Sequence, residues 1–107
     1  MDTLKKLERN GVFLRYEDVV RICQKYKIVE MSVFGSSIRD DFKEDSDVDF
    51  LVSFRKRAKI SLFDIIDLKD ELLELLDREV DVVEKEGLRY PVRRRNILST
   101  REIIYAV

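Results

Sequence analysis

The spacing of apolar positions along the chain predicts helices alternating with short strands. Helices are expected where apolar residues recur every three or four positions, and buried strands where short apolar runs are unbroken. This pattern predicts strands over 28–34, 47–54 and 79–84, and helices over 2–9, 15–26, 36–42, 61–78 and, opened by Pro91, about 91–105.

The longest predicted helix, 61–78, decides the predicted topology. It separates the second and third strands and is long enough to be a right-handed crossover, so these strands should be parallel. Ser61 and Asp64 have the spacing of a capping box at its start. The predicted fold is one α/β domain over residues 1–107, with a small mixed sheet and the order α-β-α-β-α-β-α. Phe63, Val92 and Ile103 are expected to be mostly buried on their helices.

Composition narrows the class of protein. Of 107 residues, 45% are apolar and 40% are charged, with 21 basic against 22 acidic residues, so the chain as a whole is not a basic nucleic-acid binder. No apolar run approaches the ~20 residues of a membrane span, and no signal-peptide core is visible. A single cysteine, Cys23, predicts a core residue, no internal disulfide and a reducing, cytoplasmic location.

Charge is unevenly distributed, which matters for the choice of ligand. Residues 85–107 carry a net charge of +4, whereas residues 1–84 carry −5. The basic stretch "LRYPVRRRN" is a candidate contact for a polyanion, a triphosphate or a partner protein, and nucleic-acid contact there is possible without being favoured. Histidine is absent, so catalysis would depend on carboxylates, hydroxyls, Lys and Arg.

Three aspartates form the candidate catalytic and metal-binding group. Asp47 and Asp49 are two residues apart at the start of a predicted strand, so their side chains point to the same side. Asp81, in the next strand, can stand beside them. Two such charges at ~4 Å repel by about 4 kcal/mol at an effective dielectric of ~20. This repulsion favours either protonation or a hard cation such as Mg²⁺, and two Mg²⁺ ions would suit phosphoryl or nucleotidyl transfer.

A Gly-Ser pair offers a place for phosphate. Gly35 ends the first predicted strand, where its missing side chain lets backbone approach a ligand, and Ser36 and Ser37 open a predicted helix. Taken singly, these features have simpler explanations: an Asp-x-Asp pair is usually a solvated turn, and Gly-Ser is common. Asp40, Asp41, Glu44 and Asp45 are expected to be loop charges. The combination is what indicates a nucleotide site.

With Gly35-Ser36, ten intervening residues and Asp47-Val48-Asp49, the chain resembles the minimal nucleotidyltransferases of the DNA polymerase β superfamily. The resemblance continues through "SDVDFLV" and "VDVVEKEGL", and it implies the nucleotidyltransferase fold. It also implies roles for individual residues. These are triphosphate binding by Gly35, Ser36, Ser37 and Arg39, and metal binding and catalysis by Asp47, Asp49 and Asp81. Arg39 could equally form an ion pair with a neighbouring acid, and "SSIRDD" departs from the family's usual Ser-x-Ala-Arg-Gly at Ile38 and Asp40.

Chains this short resemble the antitoxin half of toxin–antitoxin pairs whose toxin is a helical ribonuclease of the HEPN type. The resemblance implies Mg²⁺-dependent transfer of AMP from ATP to a toxin hydroxyl, expected to be a tyrosine, with release of pyrophosphate. Two alternatives stay open: a non-catalytic module that neutralises the toxin by contact, and nucleotide addition to RNA or a small molecule.

Overall fold

The structure is a computed structural model that describes residues 2–107. Its elements follow the chain in the order α1 (Asp2–Arg9), α2 (Tyr16–Lys25), β1 (Ile28–Phe34), a 3₁₀ turn (Gly35–Ile38), β2 (Val48–Phe54), α3 (Leu62–Leu76), β3 (Val80–Glu84), a second 3₁₀ turn (Lys85–Gly87), α4 (Pro91–Thr100) and β4 (Glu102–Ala106).

The four strands form one mixed sheet in the order β3-β2-β1-β4. Strand β1 is antiparallel to both β2 and β4, and β2 is parallel to β3. The predicted crossover through α3 is therefore confirmed. Helix α3 also begins as predicted, because Ser61 and Asp64 form a reciprocal capping box.

The two faces of the sheet are covered differently. The main core joins the sheet to α1, α2 and α3 and includes the fully buried Phe50, Leu7 and Leu72. A smaller apolar cluster on α4 and the sheet contains Phe34, Leu51, Leu88 and Ile97. The strand ends that carry the candidate aspartates lie next to this smaller cluster, since Phe34 is paired with Asp49.

The predicted last helix, 91–105, is wrong in its second half. Helix α4 ends at Thr100, and residues Glu102–Ala106 form an edge strand on β1. Two neighbouring isoleucines suit either structure, but β-branched residues pack well on a sheet, and β1 offered an unpaired edge. Glu102 is then tied to α1, where it accepts hydrogen bonds from Lys6 Nζ at 2.7 Å and Thr3 Oγ1 at 2.8 Å.

Four smaller predictions are also corrected. The predicted helix 36–42 is only the 3₁₀ turn Gly35–Ile38, although Ile38 and Phe42 both pack against the main core. Phe63 is 77% exposed on the outer side of α3, and Val92 and Ile103 are exposed as well. Helical or alternating spacing alone did not reveal which side of these elements faces the sheet.

The two isoleucines of β4 test its assignment as a strand. Ile104 is 1% exposed and Ile103 is 45% exposed. We expect Ile104→Ala to lower the free energy of unfolding by about 2–5 kcal/mol because it leaves a cavity in the core. Ile103→Ala, the matched control, should change it by less than about 1 kcal/mol. Equal losses in urea unfolding curves would contradict the strand.

Candidate active site

Two of the three candidate aspartates are neighbours across parallel strands. Asp49 on β2 is in register with Asp81 on β3, so their side chains leave the same face of the sheet. Asp47 precedes β2 by one residue and is exposed, two positions from Asp49. The structure thus places Asp49 and Asp81 side by side, with Asp47 at the strand entrance.

Gly35 completes this edge of the sheet by lying against Asp49. It follows Phe34, the residue of β1 that pairs with Asp49, and its φ is +77°. A Cβ at this position would lie 2.5 Å from Asp49 Oδ2. Two reasons therefore favour glycine at this position. The backbone is left-handed, and the Asp49 carboxylate fills the space that a side chain would occupy.

The Asp49 carboxyl group is under electrostatic stress. Its partial burial, followed by repulsion from Asp81 and Asp47, raises its pKa to about 6. Arg39 and Arg93 act in the opposite direction and lower it. A carboxylate that is partly removed from water and faces like charges is stabilised by a cation, which is the arrangement expected of a metal ligand.

The loop after Gly35 is anchored by a residue that the sequence pattern did not single out. Asn10, which follows directly after α1, donates from Nδ2 to the carbonyl oxygens of Ser37 at 2.8 Å and Arg39 at 3.0 Å. Ser36 is partly exposed, whereas Ser37 is fully buried and its hydroxyl has no hydrogen-bond partner among residues 2–107. The phosphate contact predicted for Ser37 stays a prediction, and at this burial only its backbone could make it.

The acidic loop that leads to Asp47 is held by Arg78, another residue that the pattern did not single out. Arg78 Nη1 donates to the carbonyl oxygens of Lys43 at 3.3 Å and Ser46 at 3.2 Å. Its guanidinium group also lies 4.5 Å from the centre of the Phe42 ring. Arg39, for which the sequence left phosphate contact and ion pairing open, pairs with Asp41 at 3.0 Å.

The carboxylates of the three candidate aspartates suit a hard cation, although their side chains do not point toward one common centre. Within residues 2–107, no three acidic, histidine or cysteine side chains are grouped closely enough to hold an ion as they stand. All candidate ligands are carboxylates, and Asp49 already faces two of them. Mg²⁺ commonly binds one or two carboxylates and completes its shell with water and substrate phosphates, so the residues present fit such an ion.

A surface cavity elsewhere on the molecule is separate from this edge. It has a volume of about 660 Å³ and is lined by residues of α2, the loop after β2 and α3, among them Lys25, Tyr26 and Glu71. None of the predicted site residues contributes to its lining. The candidate chemistry therefore depends on the edge formed by Gly35, Asp49 and Asp81.

Residues 17–104 match the model of the nucleotidyltransferase domain. The chain belongs to the nucleotidyltransferase family. Among its relatives, the protein adenylyltransferase MntA of Thermococcus cleftensis is 38% identical over 98% of this chain and 97% of its own length. The family match confirms that the Gly-Ser and Asp-x-Asp spacing had indicated the right class of enzyme.

Solved structures share the nucleotidyltransferase fold. A toxin–antitoxin complex with AMP-PNP aligns with a TM-score of 0.71 at 18% identity, covering 88% of this chain and 75% of the other. A complex of tri-AMPylated Shewanella oneidensis HEPN toxin with an MNT antitoxin aligns with a TM-score of 0.63 at 16% identity, covering 94% and 73%. At these identities the likeness concerns the fold alone.

Gly35→Ala tests the contact with Asp49, and Gly11→Ala is its matched control. Both glycines have a positive φ, so each substitution should cost about 1–2 kcal/mol in the free energy of unfolding. A Cβ at Gly11 meets no atom within 4 Å, whereas at Gly35 it displaces the Asp49 carboxylate. We expect Gly35→Ala to lower nucleotidyl transfer by about 100-fold and Gly11→Ala to leave it nearly unchanged. Equal activities would contradict the role of this contact.

The raised pKa of Asp49 predicts a dependence of stability on pH. A carboxyl group whose pKa is higher in the folded state, about 6 here, than in the unfolded chain, ~3.9, binds protons more tightly when folded. Its contribution to stability is therefore present below about pH 4 and lost as the pH rises through 6. Asp49→Asn should remove this dependence and stabilise the ion-free protein at pH 7.5 by about 1 kcal/mol, after allowance for solvent screening.

Thermal unfolding from pH 4 to 8 in EDTA, with Asp45→Asn as a control in the exposed loop, measures this difference. If the melting temperatures of Asp49→Asn and the wild type differ by the same amount at every pH, the pKa of Asp49 is not raised and the prediction is wrong.

Proposed function

We propose that this chain is a Mg²⁺-dependent protein adenylyltransferase that transfers AMP from ATP to a tyrosine hydroxyl of a HEPN-type ribonuclease toxin. By this transfer it acts as the antitoxin of that toxin. The observation that carries the proposal is the edge where Asp49 lies beside Asp81 and against Gly35, because carboxylates suited to a hard cation there adjoin a glycine turn suited to phosphate. We further propose that residues 1–107 act as one domain, in the cytoplasm.

The proposed nucleotide contacts begin at the end of β1. Gly35 and Ser36 would receive the triphosphate, since a chain reversal without a side chain exposes backbone N–H groups to anions. Arg39 is placed nearby but is already paired with Asp41, so a contact with phosphate would require that ion pair to open. Asp47, Asp49 and Asp81 would hold Mg²⁺, which would neutralise phosphate charge and lower the pKa of a bound hydroxyl.

The proposed reaction is a displacement at the α-phosphorus of ATP. The tyrosine oxygen forms a bond to this phosphorus, the bond to the oxygen bridging to the β-phosphate breaks, and pyrophosphate leaves. Asp81 is exposed on the edge strand β3, and in this proposal it accepts the hydroxyl proton of an incoming protein. Asp49 is more buried than Asp81 and would remain a Mg²⁺ ligand during the reaction.

Two findings support a toxin as the acceptor. A relative that aligns over 98% of this chain is named protein adenylyltransferase MntA, and the fold is shared with an MNT antitoxin solved in complex with a tri-AMPylated HEPN toxin.

None of the helices in residues 2–107 is long and apolar enough to span a bilayer.

Asp47→Asn and Asp45→Asn provide a matched test of the transfer reaction. Both replace an exposed acid in the same acidic segment, but only Asp47 is a proposed metal ligand. With α-labelled ATP, Mg²⁺ and the HEPN-type protein of the same genome, we expect label on the toxin with the wild type and Asp45→Asn. Asp47→Asn should lose at least about 100-fold, as expected when a group that positions the reacting atoms is removed.

The outcomes separate the proposed enzyme from its alternatives. Tight binding of the toxin without any label, together with inhibition of its ribonuclease activity by Asp47→Asn, would overturn transfer in favour of neutralisation by contact. Label found on RNA or a small molecule but not on the toxin would overturn the proposed acceptor while retaining the reaction.

A further inference from the structure

Arg93 lies on the side of α4 that faces the aspartate edge. It is one helical turn before Ile97, and residues four apart share a helix face. Ile97 is buried against the sheet in the cluster with Phe34 and Leu51, and Phe34 is the cross-strand partner of Asp49. The first turn of α4 therefore places the Arg93 charge within electrostatic reach of Asp49.

Arg93, like Arg95 two residues further on, has a charge that no acidic side chain of the described chain pairs with. It is exposed, and within residues 2–107 its side chain has neither an ion pair nor a hydrogen bond. The neighbouring Arg94 donates to the carbonyl oxygen of Lys85 at 3.2 Å. Lys85 and Arg101 both bind Glu30 at 3.0 Å. Arg94, Lys85 and Arg101 are thus held by other groups, whereas Arg93 is unpaired in the described chain and lies on the face of α4 that turns toward Asp49.

We propose that Arg93 binds the β- and γ-phosphates of the nucleoside triphosphate and so stabilises the pyrophosphate leaving group. The inference rests on the proposed function, because it assigns a phosphate contact within that site. The acidic edge repels a triphosphate, and the other arginine that acts on Asp49, Arg39, is paired with Asp41. A guanidinium group offers a planar, bidentate set of donors that matches phosphate oxygens, and its charge remains at every working pH.

The position of Arg93 on α4 gives it a role different from that of the Mg²⁺ bound by the aspartates in this proposal. Mg²⁺ held by the aspartates would act where the α-phosphorus is attacked, whereas Arg93 approaches from α4, which is not part of the sheet. Negative charge develops on the β-phosphate as its bond to the α-phosphorus breaks, and a donor fixed there stabilises the transition state more than the bound substrate. Arg93 should therefore affect both triphosphate binding and turnover.

The test compares Arg93→Gln and Arg93→Lys with the control Arg95→Gln. Arg95 is also exposed and unpaired in the described chain, but it is two residues further on, roughly 200° around the helix. Dissociation constants for ATP, inorganic pyrophosphate and AMP are measured by calorimetry in Mg²⁺. We expect Arg93→Gln to weaken ATP and pyrophosphate about 10- to 100-fold, with AMP unchanged, because the lost contact is charge-assisted. Arg93→Lys should restore part of the loss, and Arg95→Gln should behave as wild type.

Each result has a distinct meaning. Wild-type ATP affinity in Arg93→Gln, or a loss that is equal for AMP, would overturn the assignment of Arg93 to the β- and γ-phosphates while leaving the proposed function intact. Equal losses in Arg95→Gln would show a general basic surface, such as one that binds RNA, and would overturn it as well. A wild-type protein that binds neither ATP nor pyrophosphate would overturn the proposed function itself.

Discussion

The repulsion between carboxylates at one edge of the sheet is the constraint on which the site depends. Asp49 and Asp81 are forced together by the register of two parallel strands, and Asp49 is also partly removed from water. Nothing within the aspartate group relieves this stress, and the pKa of Asp49 rises accordingly. The favourable burial of β2 on both faces, with Phe50 on one and Leu51 on the other, offsets the free-energy cost of this repulsion.

The stress is located where a cation and a phosphate can relieve it. Gly35 removes the side chain that would otherwise occupy the space of the Asp49 carboxylate, and the same glycine turns the chain away from β1. Asn10 and Arg78 then hold the segments on either side through backbone carbonyls rather than through the aspartates. The carboxylates are consequently positioned without being neutralised, which leaves them available to a ligand.

The C-terminal part of the chain contributes in two ways that a single helix would not. Helix α4 places Ile97 on the sheet and presents Arg93 towards the acidic edge, while β4 closes the exposed side of β1. The first turn of α4 carries the basic residues near the site. Because α4 ends at Thr100, the chain can continue directly into β4 and so into the sheet. The basic C-terminal segment and the acidic remainder of the chain thus meet at one place.

Local sequence determined most of the elements and indicated the family. The apolar runs defined β1, β2 and β3, the capping box of Ser61 and Asp64 defined the start of α3, and the length of α3 required a parallel pair. The spacing from Gly35 to Asp47 indicated the family, because glycine and paired carboxylates are demanded by the chemistry itself rather than by packing.

Tertiary structure alone decided the features that depend on an available partner surface. Residues 102–106 became a strand because β1 had a free edge, and Phe63 stayed exposed because the inner side of α3 was already filled by Leu68 and Leu72. Asn10 and Arg78 carry no local signal, since each acts on a segment distant in the sequence. The basic stretch "LRYPVRRRN" contains Arg93 but did not distinguish it from its neighbours. Periodicity describes one element at a time, whereas pairing, burial and electrostatic contact arise only when elements meet.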